Sequence, residues 1–462
     1  MLRRIFMKLS PTQIIVIGFL LLNIIGTILL LMPFSCADGR ETTVIDAIFT
    51  ATSALCVTGL STLNTLEHWT IFGKLVILFL IQIGGIGFMT IVTSVLVVLG
   101  KKVTLKERIV MQESFNLDTF QGMVSFSKKI ILGTLFFEGT GSILLAFKFI
   151  PRYGFFSGAF KSIFHSISAF CNAGFDILGK NSLAEYVGDW YVNLVIALLI
   201  IIGGLGFVVW TDVWKVFKLR KNFDFSFRTI LRKLSLHSKL VITISLFLIV
   251  FGWVYIFFSE YDNASTIGNM NFFDKLIASF FQSVSYRTAG FTTISQGDLT
   301  YATKLLGIMF MLIGGSPGST AGGMKTITVG AIIVAVISVI KGRDSISVFK
   351  RSISFNTLQK ALTVVVMMIG FLLVFSIALS FTEKGIDYDY EFMDLFYETS
   401  SALGTVGLSV GITPYLSILG KLFLCFAMFI GRLGPVTIAV ALASKNSGKN
   451  LLHYPEEKIF VG

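Results

Sequence analysis

Polar interruptions divide this chain into apolar runs of two lengths, set out in the same order four times. The long runs cover residues 14–32, 72–99, 130–150, 191–217, 240–258, 305–340, 364–381 and 418–443. Each holds about the 20 predominantly apolar residues that a bilayer-crossing helix needs. Shorter apolar segments, such as 43–55 and 392–403, lie between members of a pair. They are too short to cross and have the length of re-entrant helices. The repeating unit is therefore span, half-helix, loop, span. The pattern predicts an all-α integral membrane protein of eight transmembrane helices, arranged pseudo-four-fold around one central pore. The units fall at 1–100, 101–218, 219–341 and 342–443, followed by a tail at 444–462.

The loops carry the repeat most clearly. Reading from a small residue to a glycine, they are Ala54-Leu-Cys-Val-Thr-Gly59, Ala169-Phe-Cys-Asn-Ala-Gly174, Ser285-Tyr-Arg-Thr-Ala-Gly290 and Ala402-Leu-Gly-Thr-Val-Gly407. The glycines lie 115, 116 and 117 residues apart. A bulky apolar residue follows each (Leu60, Phe175, Phe291, Leu408), and an aromatic ring stands ten positions before it (Phe49, Phe164, Phe280, Tyr397). Self-similarity at a fixed period implies equivalent structural units.

Composition agrees: 54% of the 462 residues are hydrophobic and only 14% are charged, the balance of an integral membrane protein. The start is basic (Arg3, Arg4, Lys8), but the run at 14–32 exceeds the roughly 7–15 residues of a signal-peptide core. It reads as a permanent span. Of the 38 Lys and Arg residues, 25 fall in the N-terminus, the three inter-repeat linkers and the tail, which the positive-inside rule places in the cytoplasm. Of the 26 acidic residues, 17 fall on the opposite face. A negative outer mouth concentrates cations, which favours a cation path over an anion pore.

Non-helical backbone at membrane depth is tolerated only where it is buried in protein or lines a watery cavity. Four such loops meeting at one point supply rings of carbonyl oxygens that replace an ion's hydration shell. Half-helices ending there aim their negative C-terminal ends at the cavity. Glycine is needed because turning successive carbonyls toward one axis demands backbone angles that a Cβ resists. The candidate ion-binding residues are Val57, Thr58 and Gly59; Asn172, Ala173 and Gly174; Thr288, Ala289 and Gly290; and Thr405, Val406 and Gly407. Thr405-Val-Gly-Leu408 comes closest to the filter signature of potassium channels.

The phrases SALCVTGL, SAFCNAGF, SVSYRTAGF and SALGTVGL resemble the four pore loops of the Trk/Ktr/HKT superfamily of potassium transporters, over essentially the whole chain. The first repeat begins almost at the first residue, without the extra N-terminal spans of the Trk type. The chain therefore looks most like the membrane subunits of bacterial Ktr systems. The resemblance implies four covalently joined units around one potassium pathway in the bacterial cell (inner) membrane, pairing as a homodimer with one pore per subunit. It also implies a cytoplasmic ring of nucleotide-binding, KtrA-like regulator subunits. In plant relatives a serine at the first filter glycine goes with sodium transport; Gly59 stands here, which implies potassium.

The second spans repeat a glycine signature: Gly84-Gly-Ile-Gly87, Gly203-Gly-Leu-Gly206, Gly314-Gly-Ser-Pro-Gly318 and Gly431-Arg-Leu-Gly434. In the first two, paired small residues read as close helix packing. The third differs. Gly314, Gly315, Ser316, Pro317, Gly318, Ser319, Thr320, Ala321, Gly322 and Gly323 make a continuous helix costly, since proline removes a hydrogen bond and each glycine weakens the helix. A flexible intramembrane loop below the filter, acting as a gate, is expected there, and the resemblance implies the same. Lys325 and Arg432 are charges inside spans, functional candidates by default. Arg432 is expected to hold the loop closed through its carbonyls, and Lys325 to position its lower end.

Enzymatic chemistry finds little support. The four histidines are scattered, the four cysteines lack metal-ligand spacing, and there is no P-loop. The transported ion, potassium with sodium as a second candidate, is the only ligand expected at the filter, with no cofactor in the chain. Glu138 is the one carboxylate deep in a first span, so a relay of several acids is not supported; it is expected to pair with a polar neighbour. Sodium coupling and a non-transporting scaffold stand as the alternatives to a gated potassium pore.

Overall fold

The computed structural model describes residues 9–37, 40–100, 103–115, 121–179, 182–222, 232–343, 345–385 and 389–442. The N-terminal cluster and the tail at 444–462 lie outside the described residues. Four helices are long and apolar enough to cross a bilayer: Pro11–Leu30, Met123–Tyr153, Leu236–Ser259 and Phe355–Thr382. Each opens one repeat. Three start on a serine whose hydroxyl accepts a backbone N–H of the first turn: Ser10, Ser235 and Ser354. Capping of this kind satisfies donors that would otherwise be orphaned.

A half-helix follows each opening helix: Val44–Cys56, Phe155–Phe170, Phe272–Ser285 and Phe392–Gly404. Their C-terminal turns are buried almost completely. Each half-helix packs back against the span preceding it. The loops containing Gly59, Gly174, Gly290 and Gly407 leave their buried ends.

The second apolar stretches depart from the sequence expectation. All four are broken, not only the third. Ile71–Ile86 and Phe88–Val97 meet at 94°, Trp190–Leu205 and Phe207–Lys218 at 94°, and Ile418–Leu433 and Pro435–Ala441 at 97°. The break falls on the last glycine of each signature, where φ is +88° at Gly87, +91° at Gly206 and +88° at Gly434. These values lie in the region that a Cβ disfavours. The other glycines do serve packing. A methyl group on Gly84, Gly203 or Gly431 would overlap the carbonyl oxygen of Leu55, Phe170 or Leu403 respectively. Each of those oxygens belongs to the residue four before a filter glycine. One signature thus does two jobs: it lets the second helix press on the half-helix end, then turns the chain away.

The third repeat has a longer interruption. Tyr301–Leu312 and Thr326–Ile340 are separate helices, and the glycine-rich segment between them is not helical. The inter-repeat linker also holds a small hairpin, Ser347–Val348 paired with Arg351–Ser352, a local exception to the all-α expectation.

At the opposite end of the bundle, two buried glutamates tie spans together. Glu260, just past its helix, accepts bonds from Thr300 N (3.0 Å) and Thr300 Oγ1 (2.7 Å) at the start of Tyr301–Leu312. Glu383 takes Ser417 N (2.8 Å) and Ser417 Oγ (2.7 Å) at the start of Ile418–Leu433 in the same manner. Burial alone would raise the Glu260 carboxyl, but hydrogen bonds from Thr303, Thr300 and Asn263 outweigh it and hold the group below its ordinary value of 4.5. A lowered folded-state value contributes stability that is present above 4.5 and lost as pH falls through the folded value. Glu260→Ala is therefore expected to cost about 2 kcal/mol at pH 7. Its melting temperature in detergent should approach that of the parent as the pH is lowered below 4.5.

Candidate functional site

The four half-helices deliver four loops with the same backbone geometry. Two residues before each glycine, a residue with a Cβ stands at positive φ: Val57 (58°), Asn172 (61°), Thr288 (64°) and Thr405 (51°). The glycines themselves have φ of 99° (Gly59), 68° (Gly174), 77° (Gly290) and 94° (Gly407). Thr58, Ala173, Ala289 and Val406 sit between them without positive φ. Alternating the hand of successive residues turns consecutive carbonyls to one side instead of opposite sides. Left-handed backbone in β-branched Val57 and the three threonine or asparagine counterparts is costly, and persists only where surrounding structure enforces it.

That enforcement comes from serines. Gly59 N donates to Ser53 Oγ and Gly407 N to Ser401 Oγ, both at 3.1 Å. In the other two copies the hydroxyl reaches past the glycine: Ser168 Oγ donates to Phe175 O (2.7 Å) and Ser285 Oγ to Phe291 O (2.5 Å). These serines were not among the expected site residues. They lie at or just before the residue that opens each repeated phrase, with nothing in the sequence to set them apart from other serines of a short helix.

The loops meet one another in order. A methyl group on Gly59 would overlap the Ala173 carbonyl oxygen of the second repeat. On Gly174 it would lie 2.8 Å from Ala289 O, and on Gly290 2.5 Å from Val406 O. On Gly407 it would overlap Thr58 O, back in the first repeat. The contacts close a ring of four. Asn172 is joined to Thr288 Oγ1 at 3.2 Å across the second and third loops. Arg287 instead turns outward to Ser245 Oγ at 3.1 Å, on the helix Leu236–Ser259. The ring therefore offers neutral oxygens, and among the described residues the buried hydroxyls of Thr58 and Thr405 have no hydrogen-bond partner. Uncharged carbonyls and hydroxyls suit a weakly hydrated monovalent cation better than a tightly held divalent one.

Directly beneath lies the segment Gly314–Lys325. Its ends pair, Gly314 N with Met324 O (2.8 Å) and Met324 N with Leu312 O (3.0 Å). One flank is bound to the second repeat: Ser316 N donates to Gly204 O (3.0 Å), Phe207 N to Gly318 O (2.8 Å), and Thr320 Oγ1 to Phe170 O (3.1 Å). Ser316 Oγ also donates to Leu205 O. The other flank meets the fourth repeat, where Gly323 N donates to Gly431 O (3.2 Å) and a side chain on Gly322 would strike Thr405 Oγ1. Arg432 donates to Thr320 O, to Gly84 O, and to Gly85 O at 3.3 Å. Its guanidinium thus joins the segment to the first repeat as well as the fourth. Lys325 Nζ donates to Ala321 O at 2.9 Å within the segment.

Comparison with known proteins fits this geometry. Residues 6–453 match the TrkH family, described as cation transport protein. The chain belongs to the TrkH family of cation transport proteins. It is 40% identical to the Ktr system potassium uptake protein B of Bacillus subtilis, over 99% of this chain and 98% of that one. It is 38% identical to the potassium/sodium uptake protein NtpJ of Enterococcus hirae, over 100% and 99%. The crystal structure of the potassium transporter TrkH from Vibrio parahaemolyticus matches with a TM-score of 0.72 at 20% identity, covering 94% of this chain and 85% of that one, which is a likeness of fold. The family's members are cation transporters, not enzymes.

Within this TrkH-family protein, Glu138 has the polar neighbours expected: Gln82 Nε2 donates to it at 3.1 Å, and the Cys171 thiol lies at 3.7 Å. Cys56 and Cys171 are buried at equivalent places beside the half-helix ends, as small packed residues. Bonds to a guanidinium are worth roughly 1.5–3 kcal/mol each. Arg432→Ala should therefore loosen the segment and raise resting rubidium flux through reconstituted protein at least about tenfold. Unchanged flux would show that Arg432 does not restrain it.

Proposed function

We propose that this chain is a potassium uptake protein, working as a gated, channel-like pore. Eight spans in four repeats surround one pathway, with both termini in the cytoplasm and the negative face outward. A potassium ion sheds water at the ring and is held by backbone carbonyls of Val57, Thr58 and Gly59, Asn172, Ala173 and Gly174, Thr288, Ala289 and Gly290, and Thr405, Val406 and Gly407. It then meets the segment Gly314–Lys325, which opens and closes the path under restraint by Arg432 and Lys325. The observation that carries this reading is the closed ring of four glycine contacts.

Gating control comes from outside the chain on this reading, through a cytoplasmic KtrA-like ring docked on the basic inner face, with the protein paired as a homodimer. The relatives of the Ktr system carry potassium uptake in their names, which supports the choice of ion. The potassium/sodium uptake protein among them favours a second reading, in which sodium stimulates or is coupled to transport.

Rubidium uptake into vesicles holding this protein alone, with and without sodium, separates the readings. Saturable uptake without sodium is expected for the pore, and strict dependence on sodium would support coupling. Gly407→Ser places a Cβ against Thr58 O at positive φ, and is expected to reduce rubidium uptake by at least about tenfold or abolish its selectivity over sodium. Wild-type uptake preserved in that variant would refute the filter assignment.

A further inference from the structure

One buried acid beside the ring has no role in the reading so far. Each half-helix carries a different residue nine positions before its filter glycine: Thr50, His165, Phe281 and Glu398. In the second copy His165 Nε2 accepts Ile177 N at 3.3 Å, holding the segment just beyond Gly174. In the third, the neighbouring Gln282 exchanges two bonds with Gln296, at 2.6 and 3.1 Å, clasping the segment beyond Gly290. The fourth copy performs the same clasp with a carboxyl group: Ser409 Oγ donates to Glu398 Oε1 two residues beyond Gly407.

A neutral amide suffices for such a clasp, as the third copy demonstrates. Glu398 differs in two respects. Its side chain is fully buried (0% exposed), and among the described residues its second oxygen, Oε2, has no hydrogen-bond partner. Among the described residues no basic side chain pairs with it. The nearby Lys304 is engaged at 2.9 Å by Asp394, one turn earlier on the same half-helix. A buried carboxylate without a counter-charge is costly. The uncompensated group stands on the half-helix that ends at Gly404, directly before Thr405-Val406-Gly407.

We propose that Glu398, ionised when a cation occupies the ring, supplies negative charge behind the fourth loop that strengthens cation binding there without touching the ion. This rests on the pore reading above. It makes Glu398 a positioning residue for the cation, acting through the field across the loop, and makes the four chemically unequal loops unequal in attraction as well.

The test is the concentration dependence of rubidium uptake by the full-length protein in vesicles. Glu398→Gln keeps the size of the side chain and an acceptor for Ser409, but removes the charge. It is expected to raise the apparent KM for rubidium by about fivefold or more, with maximal uptake within about twofold of wild type. Glu398→Asp keeps the charge, and its KM is expected to lie closer to wild type. A Glu398→Gln KM within twofold of wild type would overturn the proposal, as would Asp and Gln variants equally shifted in KM, which indicates packing alone. Should Glu398→Gln fail to fold, Glu398→Asp against Glu398→Asn gives the same comparison between isosteric side chains. Absence of saturable uptake by the wild type would instead sink the underlying pore reading.

Discussion

The structure depends on the close approach of each loop glycine to the carbonyl oxygen of the next loop. Gly59, Gly174, Gly290 and Gly407 leave no space for a Cβ between neighbouring backbones. The four half-helix ends can therefore converge until main chain faces main chain. Around this contact the rest is arranged: serines from the half-helices pin the loops, and second-span glycines press on the half-helix carbonyls four residues earlier. The cost is left-handed backbone at Val57, Asn172, Thr288 and Thr405. Dense packing behind the loops is what holds them there.

Four-fold repetition supplies the ring, and departures from it supply asymmetry. Only the third repeat replaces a sharp glycine turn by a twelve-residue segment, Gly314 to Lys325. Only the fourth carries an arginine in its glycine signature, and Arg432 crosses to carbonyls of the first and third repeats. These two features complement each other. A segment of five glycines with few side chains offers carbonyls, and a guanidinium offers up to five donors in a rigid fork. A restraint built this way is released by breaking a handful of bonds rather than by unpacking a core.

The repeat was legible because polar loops and glycines fall at a nearly constant interval, and the four spans opening the repeats were legible from length and apolarity alone. The four glycine loops that meet in the ring were legible together for the same reason. The breaks at Gly87, Gly206 and Gly434 were not legible. A glycine within an apolar run reads equally as a packing site or as a turn, and Gly84 and Gly87 show both uses within four residues. The clasp partners of the loops were hidden as well, since Ser53, Ser401 and Glu398 resemble ordinary polar residues of a short helix.

By itself the sequence indicated a multi-pass membrane protein, with repeated glycine loops between its apolar stretches and one stretch unable to remain helical. Apolar length and main-chain freedom are local properties, and local properties are written in order along the chain. Only the tertiary structure decided that the loops close on each other in a ring, that the second spans of the first, second and fourth repeats turn through about a right angle, and that Arg432 reaches the first repeat. Those facts concern residues hundreds of positions apart. They arise from which surfaces pack together, and no run of neighbouring residues records that.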